Sequence, residues 1–206
     1  MRAGPDHGGA PSAHAPELVL ASTSVYRRTM LERLGVPFRW RAPLFHEDSL
    51  KAREADPRTL AETLAHAKAM SLLEVEPNAV IVGCDQVVAF GGRVFGKPGS
   101  VDRAIAQLGV MAGQAHQLIT ALAVECGDIA FRHTDVTTLK MRPLSRAAIE
   151  RYVAADQPLD CAGAYKLECR GISLFERIDS ADHSAITGLP LIALVTILCQ
   201  LGYEIP

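Results

Sequence analysis

Ala79-Val80-Ile81-Val82-Gly83-Cys84-Asp85-Gln86-Val87-Val88-Ala89-Phe90-Gly91-Gly92-Arg93-Val94-Phe95 decides the fold class. Ala79 to Val82 is a short apolar run suited to a buried strand, which ends at Gly83-Cys84-Asp85-Gln86. Val87 to Phe90 continue extended, Gly91-Gly92 gives a two-residue hairpin turn, and Arg93 to Phe95 return. Upstream, Leu18 to Ala21 reads as another buried strand. Ser22-Thr23-Ser24 follows it, then a helical pattern through Met30, Leu31 and Leu34 that stops at Gly35. Between the two strands, a helix from about Thr59 to Leu73 sets Leu60, Leu64, Ala67 and Met70 on one face and Lys68 off it. Downstream come a helix capped by Ser100, two long strands (116–125 and 129–141) joined by Gly127-Asp128, and a helix opened by Ser145. A loop-rich stretch, Asp160 to Asp182, and a closing helix, Leu189 to Gly202, complete the chain. Strands and helices interleave, yet at least two strand pairs are hairpins. The expectation is therefore an α/β fold with a mixed sheet and flanking helices.

The chain has 206 residues, 49% of them apolar and 21% charged, which allows one substantial core or two small lobes beside a cleft. A net charge of -2 gives no broad cationic surface, which disfavours binding to a long nucleic acid. An anionic ligand must then be met by individually placed Lys and Arg. The five cysteines are odd in number and lack C-x-x-C spacing, as expected for unpaired thiols in a reducing cytosol and not for a zinc site. The most apolar stretch, Leu189 to Leu201, is too short to span a bilayer. Residues 1–16, rich in Gly, Ala, Pro and His without an apolar core, are expected to be a disordered tail ahead of a single domain, 17–206.

Polar groups gather where predicted strands and helices end: Ser22, Ser24, Arg27, Arg28, Asp85 and Lys97. The hydroxyl-rich turn before a helix presents backbone N–H groups to an anion. Gly96-Lys97-Pro98 puts an ammonium on backbone that can approach a ligand closely. A carboxylate ringed by cations suits metal-assisted phosphoanhydride hydrolysis, so Asp85 is a candidate metal ligand or base. The residues alone support a phosphate-handling cleft. His46-Glu47-Asp48 is a weaker metal candidate, and His133-Thr134-Asp135 reads as a solvated strand face. Neither a P-loop nor a G-x-G-x-x-G is present.

Leu20-Ala21-Ser22-Thr23-Ser24-Val25-Tyr26-Arg27-Arg28 resembles the L-A-S-x-S-P-x-R-R signature of the Maf-like family of septum-formation proteins. Gly83-Cys84-Asp85-Gln86-Val87-Val88, Gly96-Lys97-Pro98, Leu64-Ala65-His66-Ala67-Lys68-Ala69, Ala162-Gly163-Ala164-Tyr165-Lys166-Leu167-Glu168 and Gly188-Leu189-Pro190 resemble its other motifs, in family order. The resemblance implies two lobes around a central cleft, in the manner of Maf and inosine triphosphatase folds. It also implies a divalent metal (Mg²⁺, Mn²⁺ or Co²⁺) and hydrolysis of a nucleoside triphosphate to the monophosphate and pyrophosphate. By the same resemblance Asp85 is the proton acceptor, Arg27, Lys68, Lys97 and Lys166 bind substrate beside Ser22 and Ser24, and Glu47 joins Asp85 at the metal.

Three positions bear on the base. The branch acting on dTTP and UTP has Arg, Thr and Gln where this chain has Tyr26, Gln86 and Glu168. The 7-methyl-GTP branch has an aromatic residue, Gln and Glu. Methylation at N7 makes guanine cationic, which an aromatic face and a carboxylate both favour. The chain departs from the pattern at Val25 for Pro, Tyr26 for Trp, His46 for Asp, and Cys169 for Gly. Competing expectations are a pyrophosphatase for dTTP, UTP or other modified nucleotides, a non-catalytic nucleotide-sensing regulator of division, and a nucleic-acid-binding module. A homodimer remains open.

Overall fold

The computed structural model describes residues 15–45, 47 and 56–205. Residues 1–14 of the expected tail, and His46 and Asp48, lie outside the described residues. Ala15 and Pro16, read as tail, belong to the folded body. Ala15 packs on the core, and the Pro16 carbonyl accepts a hydrogen bond from the Tyr203 hydroxyl at 2.5 Å.

Among the described residues seven strands form one mixed sheet: β1 (Leu18–Ala21), β2 (Phe38–Arg41), β3 (Val80–Phe90), β4 (Arg93–Phe95), β5 (Ala115–Cys126), β6 (Ile129–Met141) and β7 (Phe175–Asp179). Their order is β2-β1-β3-β5-β6-β7, with β4 paired to β3. The β2–β1–β3 pairings are parallel and the others antiparallel. Six α-helices among the described residues flank it: α1 (Val25–Glu32), α2 (Pro57–Met70), α3 (Val101–Met111), α4 (Arg146–Asp156), α5 (His183–Thr187) and α6 (Leu191–Gln200). None is long and apolar enough to cross a membrane.

The expected α/β class and both hairpins are present, and Gly91 and Gly92 turn the first with φ of 57° and 72°. Several details differ. The strand expected to end at Gly83 runs unbroken to Phe90, because β5 pairs it from Ile81 to Ala89. The edge strand β7 falls within the stretch expected to be loop, and the edge strand β2 and the short α5 fall where no element is expected from sequence.

Because side chains alternate, each strand feeds both faces of the sheet. On one face α2 covers Val19, Ala21, Ile81, Val87, Ile119, Ala121 and Ala123. The opposite face carries two separate cores. Leu20, Val82, Cys84 and Leu122 pack with α1 and α6, while Val88, Leu118, Leu139 and Met141 pack with α3 and α4. Between them on that face sits a polar pair, Gln86 opposite Thr120. The sheet is continuous, and the seam divides only the helices and cores laid upon it.

The two margins are charged. On β2, Arg39 pairs with Glu17 and, at 2.8 Å, with Glu76, which also meets Arg41 at 3.1 Å. Arg28 lies over the Trp40 ring at 4.2 Å. On β7, Glu176, Arg177 and Asp179 are exposed.

Candidate active site

β3 is longer than its neighbours on one side, and that mismatch makes the site. Its pairing with β1 extends only to Leu20 opposite Val82, and its pairing with β4 begins at Phe95 opposite Val88. β5 occupies the other edge without a break. Residues 83–87 therefore have a strand partner on one side only. β1 runs parallel to β3 and β4 antiparallel, so the carboxyl ends of both point toward this window from opposite directions. Ser22 to Ser24 leave β1 there, and Gly96-Lys97 leave β4 there. Asp85 is mid-strand, not at the strand end expected from sequence, but it stands beyond the end of the parallel part of the sheet. That is where ligands lie in open α/β folds.

Asp85 is nearly buried and faces α2, where the Lys68 ammonium donates to its Oδ1 at 2.5 Å. The same ammonium lies 3.0 Å from Glu47 Oε1. Lys68 is thus on the covered face of α2, with Leu60, Ala61, Leu64, Ala65 and Ala69, whereas Met70, expected on that face, is 44% exposed. The physical reason is that two carboxylates compensate the buried charge. Close approach of α2 to β3 brings the pair together. An added Cβ on Gly83 would lie 2.2 Å from the Ala65 carbonyl oxygen and 2.7 Å from the Ala69 nitrogen.

Ser22 is buried, and its hydroxyl accepts from the Ser24 N–H at 3.1 Å; Ser24 caps α1, accepting from the Arg27 N–H at 3.4 Å. Arg27 donates its Nε to the Gly188 carbonyl at 2.9 Å. That carbonyl also accepts from Cys84 Sγ at 3.1 Å. The Gln86 amide fixes α5 from below, donating to Thr120 Oγ1 and the Ala185 carbonyl, both at 2.9 Å, and to the Ile186 carbonyl at 3.1 Å. Gln86 is therefore committed to protein contacts through its nitrogen, and positions α5 and Gly188 against α1.

Tyr26, on α1, neighbours Lys166: burial raises the pKa of its hydroxyl, and the Lys166 ammonium lowers it in part. Lys166 lies 3.1 Å from Asp160, so one ammonium links the helix to the segment after α4. Glu168 is exposed, with its charge near Cys161 of that same segment. Lys97 is also exposed and makes no ion pair among the described residues. The structure thus gathers Asp85, Lys68 and Glu47 in one cluster, and Tyr26, Lys166 and Asp160 in another. Asp160 was quoted in sequence without a role, and its only signal is its place six residues before Lys166. His133 and Asp135 do not form the expected solvated face. Asp135 is buried, and burial raises its pKa, partly offset by a hydrogen bond from Thr137.

Among the described residues no cluster of three His, Cys, Asp or Glu side chains could hold a metal. Glu47 and Asp85 offer hard oxygen donors on either side of one ammonium. Two carboxylates fit a cation of the Mg²⁺ type, which completes its shell with water and substrate phosphate.

Residues 17–201 match the family described as Maf-like protein. The chain belongs to that family. Its Maf-like relatives include a protein named 7-methyl-GTP pyrophosphatase from Bdellovibrio bacteriovorus, 48% identical over 88% of this chain and 95% of its own. Relatives with the same name occur in Xanthomonas axonopodis pv. citri, at 42% identity over 93% of this chain and 100% of its own, and in Pseudomonas putida, at 42% over 92% and 98%. Among solved structures, a HAM1 protein from Coxiella burnetii aligns over 90% of this chain and 99% of its own, with 13% identity and a TM-score of 0.48.

Proposed function

We propose that this Maf-like chain is a nucleoside triphosphate pyrophosphatase that converts 7-methyl-GTP to 7-methyl-GMP and pyrophosphate. The observation that carries the reading is the one-sided window of β3, where Asp85 and Lys68 stand between the carboxyl ends of β1 and β4. Relatives named for that activity, at 42–48% identity over most of the chain, supply the substrate.

In this reading Asp85 accepts a proton from water as its oxygen bonds to the α-phosphorus and the α–β phosphoanhydride bond breaks. Pyrophosphate leaves with the electron pair of that bond. Lys68, Lys97 and Arg27 hold phosphate oxygens whose charge grows in the transition state, and Ser22 and Ser24 shape the turn beside them. Glu47 and Asp85 would hold a divalent cation, which when bound supplies Lewis-acid stabilisation of the phosphates. Lys68 then exchanges one of its two carboxylates for a phosphate oxygen. The base lies against Tyr26 and near Glu168. Five unpaired thiols accord with work in a reducing cytosol.

Pyrophosphate release across canonical and methylated triphosphates, with and without Mg²⁺, Mn²⁺ or Co²⁺, tests this. The expected result is metal-dependent release, fastest with 7-methyl-GTP. Faster turnover of dTTP or UTP would overturn the substrate assignment alone. Thermal stabilisation by nucleotides without release would make the protein a sensor and sink the enzyme reading.

A further inference from the structure

We propose that Asp160 is a positioning residue that sets the charge of the base pocket, neutralising Lys166 so that a cationic purine can stack beside it. This rests on the reading of 7-methyl-GTP as substrate. Lys166 is largely buried, its side chain 15% exposed; it pairs with the Asp160 carboxylate at 3.1 Å and neighbours the Tyr26 hydroxyl. Burial works against its charge, but Asp160 and Tyr26 together outweigh burial and hold its pKa above the usual lysine value. The Asp160 side chain is 60% exposed; its partial burial opposes its charge, and the hydrogen bond from Lys166 leaves that carboxyl below the usual carboxylate range. Both groups are charged throughout the neutral range.

An ammonium beside Tyr26 would repel a positively charged base stacked on that ring. Screening at physiological salt acts over a Debye length of about 8 Å, so salt would not remove a repulsion at shorter range. Left uncompensated, Lys166 would favour guanine over its N7-methylated form, the reverse of the proposed preference. Asp160 cancels that charge. The neighbouring Cys161 thiol adds none at neutral pH, because burial, reinforced by Asp160, pushes its pKa up to about 12. Glu168 is then left to supply the net negative charge that selects the cation.

The test is the ratio of kcat/KM for 7-methyl-GTP to that for GTP in wild type, Asp160→Asn, Lys166→Met and the double variant. Both substrates carry the same triphosphate, so changes in phosphate binding or in the folded fraction cancel in the ratio. Asp160→Asn is expected to lower the ratio by about tenfold. Lys166→Met is expected to raise it, and the double variant to return it to within about twofold of wild type. A lost protein fold would lower both rates and leave the ratio alone. If Asp160→Asn does not fold, the Lys166→Met arm decides, and a ratio that fails to rise overturns the proposal. So does an unchanged ratio in Asp160→Asn, or a double variant as low as Asp160→Asn. A wild type with no preference for 7-methyl-GTP over GTP would instead bring down the substrate reading itself, and this inference with it.

Discussion

Asp85 and Lys68 form the 2.5 Å pair around which the chemistry is proposed to turn. Asp85→Asn is nearly isosteric but cannot take a proton from water, so pyrophosphate release per folded molecule is expected to fall by at least a hundredfold. The thermal midpoint is expected to fall as well, because buried Lys68 loses one of its two carboxylates. A well-folded variant that keeps a tenth of wild-type turnover would remove Asp85 from the role of base. At the base, Glu168→Gln keeps size and loses charge. The 7-methyl-GTP to GTP ratio of kcat/KM is expected to drop about tenfold, roughly 1.4 kcal/mol of differential binding. An unchanged ratio would show that Glu168 does not read the methylated base. Residue identities of this kind were legible in the sequence because each sits in a short motif. Their partners were not. Lys68 was read as lying off the apolar face, since helical periodicity records hydrophobicity and not the two carboxylates that let a lysine be buried. Asp160 was invisible as a functional group for the same reason, its meaning lying in a contact with Lys166.

Among the elements, α2 and β3 had the right identities but the wrong relation. Gly83 looked like the end of a strand, because a glycine followed by Asp85 and Gln86 interrupts an apolar run. In the fold it is the point where α2 comes closest, with the Ala65 and Ala69 backbone where a side chain would stand. Gly83→Ala is expected to lower stability by about 1–3 kcal/mol through overpacking. It is also expected to cut turnover beyond any loss of folded protein, because α2 carries Lys68. Denaturant melts paired with activity per folded molecule will separate the two effects, and wild-type values in both would refute the packing account. β2, β7 and α5 are only four or five residues long, too short for a periodic pattern to mark them, even the alternating Phe38-Arg39-Trp40-Arg41 of β2. Only pairing with β1 and β6 and the Gln86 contacts to α5 define them.

Across the whole molecule, the second core of the seam-divided face contains a histidine that the proposed chemistry does not use. His116 contacts the Tyr165 hydroxyl at 3.1 Å through Nε2, while its buried Nδ1 has no hydrogen-bond partner among the described residues. Burial lowers its pKa from 6.5 to about 4. Between those values the unfolded chain binds the proton and the folded one does not. Stability is therefore intact above pH 6.5 and declines as pH falls toward 4, by up to about 1.4 kcal/mol per pH unit from this group. Urea midpoints at pH 7 and pH 5 are expected to differ less in His116→Gln than in wild type; equal pH dependence would exclude His116 as the source. The charged margins of the sheet have a consequence of another kind. An open sheet ends in two rows of unsatisfied backbone groups, the same template on which fibrils grow. Here any incoming strand would have to desolvate Arg39 and Arg41 at one margin, or Glu176, Arg177 and Asp179 at the other. At these two margins the fold can thus leave its sheet unclosed without inviting polymerisation.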